Sequence, residues 1–477
     1  MPKLIATIFF VAVIIGLFVL DRDRQARTSK ALWIPFVYLL IIGSRPVSFW
    51  LGGDTPAPDA IYGNGIYSSP LDAIVSFILL ALGLMTLVAR WRQVGSLLKG
   101  RSVPIILFYA YAGLSILWSD FPYSTLKHWT KAIEDVVMAL VIWTEVDPVM
   151  AVRRLLTRAG FILIPLSLLF SKYYPDLGRG FSKDWTTVYN GVTETKNELG
   201  VICLIFGLTS LWCFLGALGE RKGPTRRRRL AAHSVMMVAV VTMLLMSHSM
   251  TATVNLVLCG AVMVAVNRSS PAKPARAHLA VAAALCIAMI PIFIAPSLVE
   301  SLGRDTTFSG RTVIWHILPT FVRNPWLGAG YETFLMGPRL VQLKAIIDKT
   351  FQEAHNGYIE VWLNLGWIGV SLFAFLVVSG YRTALAAVRR DSAIGSLRLA
   401  FFAAALIEGL TEAAYRMMSP VCFLLLWSIV DNSMAVRKNL RRERPRNSLG
   451  DRTQSEYMDV SETHASASMR PDFSIPS

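Results

Sequence analysis

The chain has 477 residues, of which 54% are hydrophobic and only 16% charged. Ordinary soluble domains carry about 25% charged residues, so a soluble globular fold is excluded once the apolar residues prove to come in runs. The net charge of +16 does not indicate nucleic acid, because the basic residues cluster in short segments between those runs, where they report topology.

The first run, 4–20, follows Lys3 and resembles a signal peptide. No small-residue cleavage site follows it, and Asp21-Arg22-Asp23-Arg24 reads as a stop signal, which makes it an uncleaved span. A spanning helix needs about 20 mostly apolar residues. Further spans are expected at 32–51, 71–89, 103–119, 132–147, 159–171, 198–218, 231–247, 251–266, 279–296, 357–378, 399–414 and 418–431, those at 132–147, 159–171 and 418–431 being short. The fold class is therefore an all-α polytopic integral membrane protein of about 12–13 transmembrane helices.

Alternate connections are rich in Lys and Arg: Arg22 to Lys30, Arg90 to Arg101, Arg153 to Arg158, Arg221 to Arg229, Arg268 to Arg276 and Arg382 to Arg398. The intervening ones are poorer, and 52–70 has no basic residue at all. Cytoplasmic loops hold the excess, so the N-terminus is expected outside and the C-terminus in the cytoplasm. The Arg226–Arg229 run then reads as a positive-inside anchor. Residues 436–477 are polar and rich in Ser, Arg and Pro and read as a disordered cytoplasmic tail, which leaves 1–435 as the transmembrane domain.

All five cysteines (Cys203, Cys213, Cys259, Cys286 and Cys422) fall inside apolar runs, so they are expected to be small buried hydrophobes rather than disulfide or metal ligands.

Two outward, periplasmic loops are longer than a connection needs to be: 172–197, and 297–356 between spans 10 and 11. The second contains Trp315, Phe321, Trp326, Tyr331 and Phe334, with a short amphipathic helix expected over 312–321, so an ordered outward domain is inferred. Both are basic against the positive-inside trend, through Lys172, Arg179, Lys183 and Lys196 in one and Arg304, Arg311, Arg323 and Arg339 in the other. Guanidinium forks bind phosphate oxygens bidentately, so a lipid-linked diphosphate is one reason for them. Snorkelling to headgroups, or pairing with Asp305, Glu332 and Asp348, is the other.

His355 lies where the long loop enters span 11. An ordinary imidazole can take a proton from a hydroxyl near neutral pH; pairing with Glu353 is the structural alternative. There is no GxxxxGK[ST] and no HExxH, and the histidines do not cluster with carboxylates in sequence, so neither nucleotide hydrolysis nor a metal is expected. Inside the bilayer Glu134 and Asp135 are costly and call for partners. Glu408, Glu412 and Arg416 have the spacing of one helical face, which a proton-coupled transporter could use.

The segment 303–369 resembles the O-antigen ligase and Wzy-type polysaccharide polymerase superfamily, and within it the ExoQ-like exopolysaccharide production proteins. The carrying residues are Gly303-Arg304-Asp305, Ser309-Gly310-Arg311, Trp315, Asn324-Pro325-Trp326-Leu327-Gly328-Ala329-Gly330, and Ala354-His355-Asn356 with Gly366 and Gly369. Ser44-Arg45-Pro46 and the stretch from Gly191-Val192-Thr193 to Lys196-Asn197-Glu198-Leu199-Gly200 add to it. The resemblance departs at Ser247-His248-Ser249-Met250-Thr251, where many relatives have a basic residue at the position of Met250 and this chain has only the neighbouring His248, whose substitution for it is left open, and at Thr195, where relatives often have histidine.

The resemblance implies a metal-independent, inverting glycosyltransferase without cofactor, at the outer face of the bacterial inner membrane. Its donor is a saccharide on polyprenyl diphosphate, and its acceptor is either a second lipid-linked repeat (polymerase) or lipid A-core (ligase). By motif position His355 would be the general base. Arg311 and Arg179 would hold the departing diphosphate, and Arg304, Lys196 and Asn356 would be further substrate-binding residues. Partners implied are the lipid-linked oligosaccharide, the bilayer, and chain-length regulator and export proteins. A transporter or flippase of lipid-linked sugars, using the acidic row of span 12, is the reading from another class.

Overall fold

The computed structural model describes residues 2–22, 28–52, 69–181, 186–267, 275–293, 307–347, 351 and 353–431. The chain divides into two units, Met1–Val430 and Asp431–Ser477, and the tail expected at 436–477 lies outside the described residues. The principal helices are α1 (Lys3–Leu20), α2 (Trp33–Ile42), α3 (Pro70–Ala89), α4 (Val103–Leu114), α5 (Pro122–Trp143), α6 (Pro148–Tyr173), α7 (Lys196–Gly219) and α8 (Pro224–Ser247). They continue with α9 (Met250–Asn267), α10 (Ala275–Phe293), α11 (Thr307–Ile317), α12 (Gly337–Ile346), α13 (Gly357–Arg390), α14 (Ser392–Thr411) and α15 (Pro420–Ile429). A two-stranded antiparallel hairpin pairs β1 (Arg179–Phe181) with β2 (Thr187–Tyr189).

Every expected span overlaps one of these helices, though that at 32–51 is interrupted at 43–46 and ends in a separate short helix, Val47–Trp50; α11 and α12 are the extra pair inside the long loop. Among the described residues nine helices are long and apolar enough to cross a membrane, while Lys30–Ile42, Ala275–Ile290 and Pro420–Ile429 are apolar but shorter. The protein is an all-α, multi-span membrane protein. Helix α14 is its axis: 89% of its apolar window is buried, against 11% for α1. An apolar helix that leaves Leu4, Ile8, Phe9 and Ile15 exposed is covered by lipid instead of protein.

Four expectations are corrected. The spans at 132–147 and 159–171 belong to helices of 22 and 26 residues that begin at Pro122 and Pro148. Their polar first turns hide them from a hydropathy reading, yet proline suits a first helical turn, where no amide donor is needed. Asp147 also caps α6, its side chain accepting from the Met150 amide. Span 12 stops at Thr411 rather than 414, so Glu412 is its C-terminal cap and Arg416 lies in the following turn. Tyr415 folds back there, packs on Gly409 and donates to the Ala405 carbonyl. The row Glu408–Glu412–Arg416 therefore does not form one helical face. Finally, Cys286 is exposed, whereas the other four cysteines are buried and all five are free.

The helix expected over 312–321 runs from Thr307 to Ile317 and continues as a 3₁₀ turn over Leu318–Phe321. Leu318, Phe334, Leu340, Leu343, Phe351 and Leu363 form a hydrophobic cluster separate from the main core, so the described part of the long loop is a packed layer with its own interior. It rests on a break in α13. Gly366 sits inside that helix at φ 62, and a Cβ there would collide with the Trp326 carbonyl. The run of turns over 325–330 takes over the groups that the break releases. Trp367 donates to the Pro325 carbonyl at 2.9 Å, and the Ala329 and Gly330 amides donate to Leu363 and Asn364 at 3.1 and 2.9 Å.

Candidate active site

A cavity of about 1230 Å³ is bounded by α2, α3, α5, the start of α7, Val313 and Ile314 of α11, Ile346, Ile347, Phe351, Glu353 and His355, and the end of α14 with the turn that follows it. His355 stands in its wall. The residue occupies the left-handed region (φ 48) immediately before α13, a conformation that histidine tolerates better than most side chains. Its neighbours fix it there. The Asn356 side chain caps α13 by accepting from the Tyr358 and Ile359 amides, and its amide nitrogen donates to the Leu410 carbonyl at 3.2 Å. On the other side, the Trp315 indole of α11 donates to the Ala354 carbonyl at 2.9 Å. The backbone of the turn is thus held from α11, α13 and α14 at once.

Polar and charged groups from four other segments converge on this turn. His355 Nδ1 lies 2.9 Å from Glu353 Oε1 and 3.4 Å from Glu412 Oε2. Glu412 Oε1 accepts from Asn197 of α7 at 3.0 Å and pairs with Arg311 of α11 at 3.2 Å. Arg311 also donates to the Thr411 carbonyl at 2.7 Å. Arg416 bridges Glu353 and Glu332 at 3.5 and 3.4 Å. Burial pulls the His355 pKa down, but hydrogen bonding to Glu353 and Glu412 and their negative charge outweigh it and raise it to about 9. The expectation that no histidine clusters with carboxylates therefore fails in space, because Glu412 is 57 residues away in the chain.

Glu353, His355 and Glu412 could offer three ligand atoms to a metal, all within 4.8 Å of one another. Both carboxylates, however, already face guanidinium groups, Arg416 on one and Arg311 on the other. A divalent cation entering there would meet that positive charge at close range.

The remaining motif residues divide clearly. Arg45 joins two of the distant motifs: its amide donates to the Val192 carbonyl and its Nε to the Thr193 carbonyl, each at 3.1 Å. Arg179 donates from Nε to the Ser171 carbonyl at 2.7 Å and from Nη2 to Lys172 at 3.2 Å, closing the C-terminal end of α6. Arg311 and Asn356 reach the cavity only through Glu412 and the His355 turn, since neither lines it. Arg179 and Lys196, the latter in the first turn of α7, do not line it either, and among the described residues neither is tied to that turn. Arg304 and Lys183 lie outside the described residues. Thr195 caps α7 in a reciprocal capping box with Glu198, and His248 caps α8 in a left-handed conformation.

Sequence reasoning missed Asn197, although it sits inside a quoted motif, and Lys131, which stands in the cavity wall on α5. A lysine directly before a spanning run, three residues from the buried Glu134, was itself the signal for the second. Deeper in the bundle the expected partners of the buried acids are present. Tyr38 donates to Asp135 at 2.7 Å and the Met418 amide at 3.0 Å, while Ser76 donates to Glu134.

Residues 235–374, which include Arg311, His355 and Asn356, match the family model described as O-Antigen ligase. The chain is also 26% identical over 288 residues to the exopolysaccharide production protein ExoQ of Rhizobium meliloti (strain 1021), an alignment that covers 58% of this chain. That alignment spans 64% of the relative, a little under two thirds of its length. The resemblance read from the motifs, to the O-antigen ligase superfamily and to ExoQ, is borne out at the level of sequence.

Proposed function

From that kinship and this cavity, we propose that the protein polymerises polyprenyl-diphosphate-linked oligosaccharide repeats into exopolysaccharide at the outer face of the bacterial inner membrane. The observation that carries the reading is His355, fixed at a helix start in a cavity wall with a carboxylate on Nδ1 and Arg311 tied to the same carboxylate cluster. Glu353 orients the imidazole, so that Nε2 takes the proton of the acceptor hydroxyl as its oxygen attacks the anomeric carbon of the donor. The bond from that carbon to the diphosphate oxygen breaks on the opposite face, which inverts the configuration. The diphosphate leaves with the electron pair, and Arg311, exchanging Glu412 for phosphate oxygens, neutralises the charge. No metal is needed for this step.

With His355 raised to about 9, the neutral, basic form is a minority of about 1 in 100 at pH 7. The rate is therefore expected to climb with pH and to level off above about 9. A rate that is flat below pH 9 and falls above it would assign the work to the imidazolium instead.

The family description favours a second reading, a ligase that moves finished glycan to another acceptor. Deleting the gene and examining the lipid-linked glycans separates the two. Loss of a polymerase leaves single repeats, whereas loss of a ligase leaves long unattached chains; a flippase defect would leave repeats facing the cytoplasm. Returning His355→Ala to the deletion strain is expected to leave the defect in full, and restored polymer would remove this residue from the mechanism.

A further inference from the structure

The cavity has a second polar end, on α5 and α3, that the transfer step above does not use. Glu134 is 1% exposed; Ser76 holds one of its oxygens, and the other, Oε1, has no hydrogen-bond partner. A buried carboxylate oxygen without a donor is costly and rare. Lys131 precedes it by three residues, so the two share a face of α5, and both line the cavity. Among the described residues Lys131 forms no ion pair and no side-chain hydrogen bond. An acceptor without a hydrogen bond and an ammonium that acts on Glu134 and Asp72 only through its charge, beyond ion-pair distance, thus stand one helical turn apart. Asp72 of α3 lines the same end, its carboxylate accepting from the Ser48 amide at 2.9 Å.

The charge of this end rules out a second diphosphate site, since two carboxylates accompany a single lysine. Hydroxyl groups fit it instead: one hydroxyl can donate to Glu134 Oε1 while its neighbour accepts from Lys131. The size of the cavity agrees. A pocket for one small ligand occupies about 300–1,000 Å³, and this one exceeds that range at about 1230 Å³. The geometry points to a saccharide subsite at Lys131 and Glu134 that holds the acceptor sugar, while the His355 end holds the reacting centre of the donor. This rests on the polymerase reading and deepens it: the enzyme would grip two saccharides in one cavity, by side chains from different helices.

The test uses the full-length protein in liposomes. The donor is lipid-diphosphate-linked repeat extracted from the deletion strain, and the acceptor is the free repeat oligosaccharide on a short alkyl aglycone. Lys131→Met and Glu134→Gln are each expected to raise the acceptor KM at least tenfold, with kcat and donor KM within threefold, and Lys131→Arg to recover most of the loss. Binding of the acceptor to a non-transferring His355→Ala protein should weaken in parallel when Lys131→Met is added, which separates recognition from folding. An unchanged acceptor KM and unchanged binding in both variants overturns the subsite while the polymerase reading stands. A loss confined to kcat also overturns it and points to a proton path through Glu134. If the wild-type protein itself transfers nothing to the acceptor, the polymerase reading fails and the subsite falls with it.

Discussion

The turn at 353–357 and the hairpin at 179–189 make an instructive pair. Both lie in basic segments that run against the charge trend of the chain, and both carry a residue that the motifs mark. In the turn, groups from α7, α11, the 331–336 loop and the 412–419 turn form one network around Glu353, Glu412 and the imidazole. In the hairpin, Arg179 closes the end of the helix immediately before it and lies over the Tyr189 ring. Residue type is the same in kind; what differs is the sequence distance of the partners. Local partners make a cap, whereas distant ones make a site whose charges have nowhere else to go.

The contrast is broken most directly by exchanging its two arginines. Arg311→Ala is expected to lower polymer formation about 100-fold or more, the usual cost of losing one group that stabilises a developing anion. Arg179→Ala should cost no more than about threefold in rate and about 1 kcal/mol in stability, the worth of a cation at a helix end. A larger loss of activity from Arg179→Ala would reverse the assignment. Asn356→Ala sharpens the picture of the turn itself. Loss of the cap is expected to cost about 1 kcal/mol, read by thermal unfolding in detergent, and misplacement of His355 about tenfold in rate.

A subtler effect is expected from Glu353→Gln. Removing the carboxylate that lifts His355 to about 9 should let its pKa fall toward the ordinary 6.5, so the rising limb of the pH–rate curve moves down by about one unit. A limb that stays in place would show that Glu412 alone sets the imidazole. The smallest effect is expected from chelation: EDTA should leave the rate unchanged, and inactivation restored by a divalent cation would make Glu353, His355 and Glu412 a metal site after all.

The sequence made the bundle legible because a spanning helix announces itself by an apolar run, and each of the thirteen runs contains a helix, although that at 32–51 breaks after Ile42 and resumes only over Val47–Trp50. It concealed the starts of α5 and α6, whose first turns are polar. It also misplaced Glu412 and Arg416, because nothing in the spacing shows that Tyr415 folds back and ends the helix early. Motifs located His355, Arg311 and Asn356. They could not show that Asn356 caps a helix, that Arg179 closes another, or that Glu134 keeps an oxygen without a donor, since each of these depends on where a distant backbone happens to pass.

The break in α13 has a consequence for inheritance. The run 325–330 and the helical segment 363–368 close each other's hydrogen bonds, so neither can be exchanged, inserted into or shortened alone without orphaning buried amides. His355 lies on the stretch between them. Any recombination that transplants the histidine turn into another chain must therefore carry the whole block from Asn324 to Gly369, and domain-swap chimeras with crossovers inside it should insert poorly while those with crossovers outside it retain their fold.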